Sequence, residues 1–346
     1  MKKTILVTGG AGFIGSNFVH YLYKKYPDYR FYVLDILTYA GSIENLPTTN
    51  IGNSANNRVV FWYGDVRNAS LVDSLMEQAD MVVHFAAETH VTRSIYDNYH
   101  FFETDVLGTQ VIANSVLKNI KTIERFIHIS SSEVYGTAHA EFMDEGQPLM
   151  PLSPYASAKA GADRLVYSYF ATYDIPAIIV RPFNNYGPRQ HLEKMVPRFI
   201  TSCLLDEPLR VHGDGKAMRD WVYVDDTCAA LDRILHCEID QVVGEVINIG
   251  TKRSLNILDI ARLVVQKMNK PESCITFVGE RPGQVFRHTA DNAKAERLLG
   301  WKPSVAFEEG LDKTIQWYQK NRPWWEKQLW MREIPIITKS GIKELH

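Results

Sequence analysis

An α/β fold built on a doubly wound parallel sheet is predicted by three features of this 346-residue chain. A short apolar run, Ile5-Leu6-Val7, leads into the glycine turn Gly9-Gly10-Ala11-Gly12, after which Phe13, Ile14, Phe18 and Val19 fall at helical spacing. A second apolar run, residues 31–34, ends in Asp35, about 20 residues beyond the turn. Strand-length runs then alternate with helical patterns through the first half, as a parallel sheet with helices on both faces requires.

The first strand and turn set the ligand. One glycine permits the tight turn, one lets a pyrophosphate approach the backbone, and Gly15 lets the helix pack close to the strand. The helix start offers unpaired N–H groups and partial positive charge to a phosphate. Gly9, Gly12, Phe13, Ile14 and Gly15 are therefore the expected phosphate contacts of a Rossmann-type domain. Asp35 would accept hydrogen bonds from the adenosine ribose and repel a 2′-phosphate. No Arg or Lys follows it among Ile36, Leu37, Thr38 and Tyr39, so NAD is favoured over NADP.

Later strands reach the same edge. Residues 59–63 run into Gly64-Asp65-Val66, where Asp65 and Val66 suit the adenine end of the cofactor, although Asp65 could equally cap the next helix. Residues 81–85 run into Ala86-Ala87-Glu88, 126–129 into a serine cluster, and 177–180 precede Arg181-Pro182. Helices are expected over 104–119 and 155–172. Ligands in such sheets lie beyond the carboxyl ends of the strands, so the Ala-Ala-Glu, Ser-Ser-Ser-Glu and Arg-Pro-Phe-Asn segments should face one crevice. Ala86 and Ala87 then belong to the cofactor site.

After about residue 185 the texture changes. Residues 184–188 read as a loop, and Pro197, Pro208, Gly213 and Gly215 interrupt the chain. Shorter elements follow, near 246–249 and 258–268. The expected division is a NAD-binding domain over 1–185, with later segments (about 220–255) contributing. Residues 186–346 would form a smaller, partly interwoven substrate lobe and tail. The aromatic cluster Trp317, Tyr318, Trp324, Trp325 and Trp330 is expected to pack against the body or a partner.

Bulk properties exclude several classes. Lys and Arg number 38 against 40 Asp and Glu, a net charge of -2, so there is no electrostatic footprint for nucleic acid. Cys203, Cys228, Cys237 and Cys274 lack paired metal-ligand spacing and read as reduced thiols of a cytoplasmic protein without a metal. Met-Lys-Lys precedes the glycine-turn strand and does not read as a signal peptide. No run approaches the 18 or more apolar residues of a membrane span. A small-molecule substrate is expected.

Tyr155 and Lys159 stand four residues apart on one helix face. A free tyrosine, with a pKa near 10, is a weak base at neutral pH. A lysine ammonium beside it, with a nicotinamide cation, would favour the phenolate and let it take a proton from a sugar hydroxyl as hydride leaves. One serine of Ser130-Ser131-Ser132, best Ser131, would orient that hydroxyl. Glu133 is the informative addition. Oxidation at C4 of a hexose acidifies the C5 hydrogen, and a carboxylate there could remove it. Loss of the C6 hydroxyl and return of hydride to C6 would give a 4-keto-6-deoxy sugar.

Together these residues resemble the extended short-chain dehydrogenase/reductase superfamily, and within it the dTDP-glucose 4,6-dehydratases, over residues 4–318. The more specific matches are DILTYAGSIENL from Asp35, FAAETHVTRSI from Phe85, SEVYG from Ser132, YASAKAGAD from Tyr155, NNYGP from Asn184, Glu193-Lys194, and GDGKAMRDWVYVDD from Gly213. The resemblance implies that Asn185 and Arg219, with Arg287 nearby, hold the substrate pyrophosphate. It places Glu193 and Lys194 near the base and His90 near the hexose. It also implies a homodimer through the helices near 104–119 and 155–172.

The departures are local. The glucose dehydratases read Thr-Asp-Glu where this chain has Ser131-Ser132-Glu133, so the aspartic acid that protonates the leaving hydroxyl is missing, and serine cannot replace it at a useful pKa. GDP-mannose 4,6-dehydratases resemble this arrangement, with Ser-Glu and a glutamate that acts as base and then acid. UDP-glucuronate decarboxylases also read SEVYG. Thr92 stands for an aspartate, Arg198 for a Leu or Ile, and Gln284-Val285-Phe286-Arg287-His288 for His-Asp-Arg-Arg-Tyr. The expected activity is an NAD-dependent NDP-hexose 4,6-dehydratase. The alternatives on this scaffold are an NDP-sugar 4-epimerase or 4-dehydrogenase and a UDP-glucuronate decarboxylase.

Overall fold

The computed structural model describes residues 2–47, 57–279, 285–337 and 342–345. The first six strands are β1 (Thr4–Thr8), β2 (Arg30–Asp35), β3 (Val59–Tyr63), β4 (Met81–His84), β5 (Arg125–Ile129) and β6 (Ala177–Pro182). They are followed by β7 (Asn184–Tyr186), β8 (Leu209–His212), β9 (Met218–Tyr223), β10 (Val246–Ile249) and β11 (Ser254–Asn256). The last are β12 (Ile275–Val278), β13 (Arg287–His288), β14 (Pro335–Ile337) and β15 (Lys343–Leu345).

Seven strands lie in the order β10-β6-β5-β4-β1-β2-β3, every neighbour parallel. Side chains alternate along each strand, and both faces are apolar because both are covered. Ile5, Val7, Phe31 and Val33 pack with Phe18 and Leu22 of the helix Phe13–Lys25 and with Leu231 and Leu235 of Val224–His236. Leu6, Tyr32, Leu34 and Val82 face the other way, onto Val72, Leu75, Ile112 and Val116. The order reverses between β1 and β4, which opens the crevice.

A third core joins Phe199, Trp221, Tyr223, Ile260, Leu311, Tyr318 and Trp325. It lies in the second half of the chain, around the sheet β11-β9-β13. In the aromatic tail Tyr318 and Trp325 are buried, Trp317 and Trp324 are partly so, and Trp330 is 79% exposed.

Two elements differ from the sequence expectation. Residues 184–186 were expected in a loop but form β7, parallel to β9 with Asn184 opposite Trp221. The breakers Gly187 and Pro188 lie just beyond the strand, not in it. The helix expected over 104–119 begins as a wide π-helical segment, Phe102–Gly108, before the regular turns of Thr109–Lys118. Such a segment carries an extra residue per turn, which a 3.6-residue periodicity does not reveal.

Candidate active site

A cavity of about 1280 Å³ lies beyond the carboxyl ends of β1, β2, β4 and β5. At its first end Gly9 adopts φ +67°, and a Cβ there would sit 2.5 Å from the Ala86 nitrogen. A Cβ on Gly15 would come within 2.5 Å of the Gly9 carbonyl. Only glycine lets the turn, the helix and the end of β4 approach this closely. Gly12 begins the helix Phe13–Lys25 with no side-chain cap, leaving its first N–H groups for a ligand. Phe13, Ile14 and Gly15 line the cavity beside it.

Asp35 closes β2. Its carboxylate accepts the N–H groups of Ala11 at 3.0 Å and Leu37 at 2.8 Å. Burial pushes this carboxyl up, and the two backbone donors pull it back. Asp65 and Val66 line the same end. Asp65 pairs with Arg67 at 2.7 Å, while Asn68, not Asp65, caps the following helix. Ala86 and Ala87 complete the wall toward the centre. A tight glycine cradle, an open helix start and a carboxylate at ribose distance in sequence fit NAD.

The catalytic candidates converge at the centre. Ser153 caps the helix Pro154–Tyr173 through the Ala156 N–H at 3.1 Å, and Pro154 occupies its first turn. Arg181 of β6 holds Asp163 on that helix at 2.8 and 2.9 Å. Lys159 reaches back to donate to the Ile129 carbonyl at 2.7 Å. Ser131 accepts the Glu133 N–H at 3.2 Å, which fixes the short turn Ser132–Tyr135. Ser131, Ser132, Glu133, Tyr155 and Lys159 all line the cavity.

Lys159 bonds the Ile129 carbonyl, and burial raises the Tyr155 phenol well above its ordinary range. Hydrogen bonds from Ser131 and Thr89 oppose that rise, while Asp105 and Glu133 add to it. Removing water from a phenolate outweighs what the polar neighbours return. Burial likewise lowers Lys159, against the charges of Asp105 and Asp163. Asp105 itself is raised, first by burial and against the pull of Lys159, and accepts the Glu88 N–H at 2.7 Å.

On the far wall, Arg93 pairs with Glu193 at 2.6 Å, and Tyr39 donates to Glu193 at 2.9 Å. Burial alone would raise the Glu193 carboxyl, but His90, Lys194, His191 and Arg93 bring it down to about 2. Lys194 donates to the Thr89 hydroxyl at 3.2 Å. His90, at φ +99°, lines the cavity beside them. Asn185 and Arg219 also line it, with the Asn185 side chain bonded to Phe183 and Thr227.

Arg287 is the expected site residue that does not join this group. Its guanidinium donates to the Ala140 carbonyl at 2.8 Å, off the cavity wall. Gln284 lies outside the described residues. Sequence reasoning missed Thr89, which lines the cavity, and Asp105, which is buried off the wall and acts on Tyr155 and Lys159 through its charge. Thr89 lies inside the FAAETHVTRSI segment with no spacing signal of its own, and Asp105 is buried within the π-helical segment.

This fold and site define an NAD-dependent dehydrogenase scaffold of the extended short-chain type, built around a nucleotide sugar. Residues 6–314 match the family model described as GDP-mannose 4,6 dehydratase, and the chain belongs to this family of NDP-sugar 4,6-dehydratases. Among its relatives, the low-salt glycan biosynthesis protein Agl12 of Haloferax volcanii is 45% identical over 91% of this chain and 98% of its own. The dTDP-glucose 4,6-dehydratase of Streptomyces antibioticus is 42% identical, covering 93% of this chain and 94% of that protein. The crystal structure of DesIV, a dTDP-glucose 4,6-dehydratase of Streptomyces venezuelae with NAD and dTDP bound, superposes with a TM-score of 0.88. It is 40% identical, covering 94% of this chain and 99% of its own.

Proposed function

We propose that the protein converts dTDP-glucose, or a closely similar NDP-hexose, to the NDP-4-keto-6-deoxyhexose. The observation that carries this reading is a carboxylate, Glu133, in the cavity wall beside Ser131 and close enough to Tyr155 to perturb its phenol. Simple C4 oxidation or epimerisation has no use for that group. A relative named dTDP-glucose 4,6-dehydratase and the DesIV structure with dTDP bound support dTDP as the nucleotide.

NAD would be held by the glycine turn, Asp35, Asp65, Val66, Ala86 and Ala87. Held there, NAD would supply the hydride acceptor for C4, the hydride donor for C6 and positive charge near the phenol. Tyr155 takes the C4 hydroxyl proton while Ser131 orients that hydroxyl. Lys159 holds the helix in register and supplies charge. Glu133 takes the C5 proton and then protonates the departing C6 hydroxyl, because Ser132 cannot. Asn185 and Arg219 bind the pyrophosphate, with Glu193 and Lys194 at the base and His90 at the hexose. In this reading residues 1–185, with about 220–255, serve the cofactor, and 186–346 serve the substrate.

The same reading makes the protein a cytoplasmic homodimer. Its four free thiols support the compartment. Exposed Leu107 and Tyr167, on the helices proposed to pair, support the interface. Among the described residues no helix is long and apolar enough to cross a membrane. A monomer mass by light scattering at micromolar concentration would remove the dimer.

One observation, serine at 132, favours the second reading: a 4-epimerase or a UDP-glucuronate decarboxylase. A panel of dTDP-glucose, UDP-glucose, UDP-N-acetylglucosamine, GDP-mannose and UDP-glucuronate separates them by product mass. Loss of water from one member establishes the dehydratase and its nucleotide. Loss of carbon dioxide, or unchanged mass with inverted stereochemistry, establishes the second reading.

A further inference from the structure

The strand β13 runs parallel to β9, with His288 opposite Arg219, and sets the His288 imidazole behind the turn Ser132–Tyr135. The ring is fully buried. Its Nε2 lies 2.7 Å from the Gly136 carbonyl oxygen. A carbonyl only accepts, so the ring proton sits on Nε2, and the neutral imidazole presents a bare lone pair at Nδ1. That atom is buried and makes no hydrogen bond among the described residues. It faces Glu133, whose Oε1 is 3.9 Å away.

A buried acceptor without a donor is rare in a folded protein and calls for an explanation. Here a donor can arise during turnover. We propose that His288 is the positioning residue of Glu133: its Nδ1 accepts a hydrogen bond from the glutamic acid formed when the C5 proton is removed, and holds that acid ready for the C6 hydroxyl. The inference rests on the dehydratase reading and extends it to a residue outside the cavity wall.

The chemistry balances within that reading. The Glu133 carboxylate takes the proton as the C5–H bond breaks, and the new O–H donates to His288. The same proton then passes to the C6 oxygen, the C6–O bond breaks, C5 and C6 become doubly bonded, and water leaves. Glu133 returns to its carboxylate and His288 stays neutral throughout. Closing 3.9 Å to hydrogen-bond length needs a Glu133 movement of about 1 Å. The carboxylate faces the cavity and is not packed solid, with 18% of its side chain exposed.

Two surrounding charges act on the ring. Burial disfavours the imidazolium, Glu133 favours it, and Arg219 disfavours it again, with a net shift downward. The Phe183 ring packs across the imidazole at 6.3 Å, and Asp220 fixes the neighbouring backbone through the Ala290 N–H at 3.1 Å. The neutral acceptor is thus the form the fold favours. Serine at 132 and histidine at 288, both departures from the glucose-dehydratase pattern, meet at one glutamate. One removes the separate acid, and the other supports a glutamate that must serve twice.

Two substitutions separate this role from simple anchoring. His288→Gln can keep a donor for the Gly136 carbonyl while removing the Nδ1 acceptor. His288→Asn can keep an acceptor near Nδ1 while losing the Gly136 bond. Each holoenzyme is mixed with dTDP-glucose; C4 oxidation is followed by reduced-nicotinamide absorbance and water loss by product mass. The expected result is C4 oxidation within about twofold of wild type in both, with water loss slowed about 10- to 100-fold in His288→Gln and largely retained in His288→Asn. The reverse order, or a parallel fall of both steps, would mean a structural anchor and overturn the inference. A wild-type protein that oxidises or epimerises without losing water overturns the dehydratase reading and this inference with it.

Discussion

Lys159 donates to the backbone carbonyl of Ile129 at 2.7 Å, tying the Tyr155 helix to the end of β5 just before the serine cluster. The lysine therefore sets the position of the tyrosine as well as the local charge. Lys159→Met should slow C4 oxidation about 10²- to 10⁴-fold, the span of one acid–base contribution. Tyr155→Phe should do the same, and the double variant should be little worse than either alone, because the two act as a unit. Single-turnover kinetics on wild type and the three variants check this.

Glu133 and Ser132 divide differently. Glu133→Gln should abolish water loss while leaving C4 oxidation within a few-fold, since the amide cannot take the C5 proton. Ser132→Ala should keep water loss within about threefold, because a serine hydroxyl is no acid at neutral pH. Product mass and oxidation rate, measured on the same samples, read both. A Ser132→Ala variant that oxidises normally but no longer loses water would place the acid at Ser132.

The glycine cradle leaves no room for a methyl group. Gly15→Ala would drive a Cβ to within 2.5 Å of the Gly9 carbonyl and 2.9 Å of the Gly10 Cα, both backbone atoms that cannot swing aside. Affinity for NAD should fall at least about tenfold, or about 1.4 kcal/mol. Titration of the cofactor-stripped variant by calorimetry measures it.

Glu193 makes stability depend on acid. Its folded carboxyl lies at about 2 against an ordinary 4.5, so the fold favours the charged form. That stabilisation is fully present above about pH 4.5 and is lost as pH falls toward 2. Glu193→Gln should cost about 3 kcal/mol at neutral pH. The gap from wild type should narrow steadily below pH 4.5. Urea unfolding of both proteins across that range tests the sign; a gap that widens in acid would contradict the assignment.

What the sequence made legible was mostly local. The glycine turn, Asp35 and the Tyr155–Lys159 spacing are set by neighbours a few residues apart, and each lines the cavity. The parallel sheet followed from alternating patterns whose strands are apolar on both faces. What escaped depends on distant contacts. The pairing of Asn184 with Trp221 joins segments far apart in the chain, and the inward turn of Asp105 comes from a π-helical segment that periodicity does not register. Burial raises Tyr155 because of everything packed around it, a quantity no motif carries. The resemblance suggested Arg287 near the substrate pyrophosphate, but its guanidinium donates to the Ala140 carbonyl, off the cavity wall. His288 gained meaning only when β13 brought it to Glu133.

The proposed reaction is an elimination in which the hydride taken from C4 returns to C6 of the same sugar. Incubation of the holoenzyme with dTDP-glucose deuterated at C4, without added reductant, tests it most directly. The expected product has lost one water and carries the deuterium at C6, by mass and by proton NMR. A product of unchanged mass, or one that has lost water but carries no deuterium at C6, would contradict it.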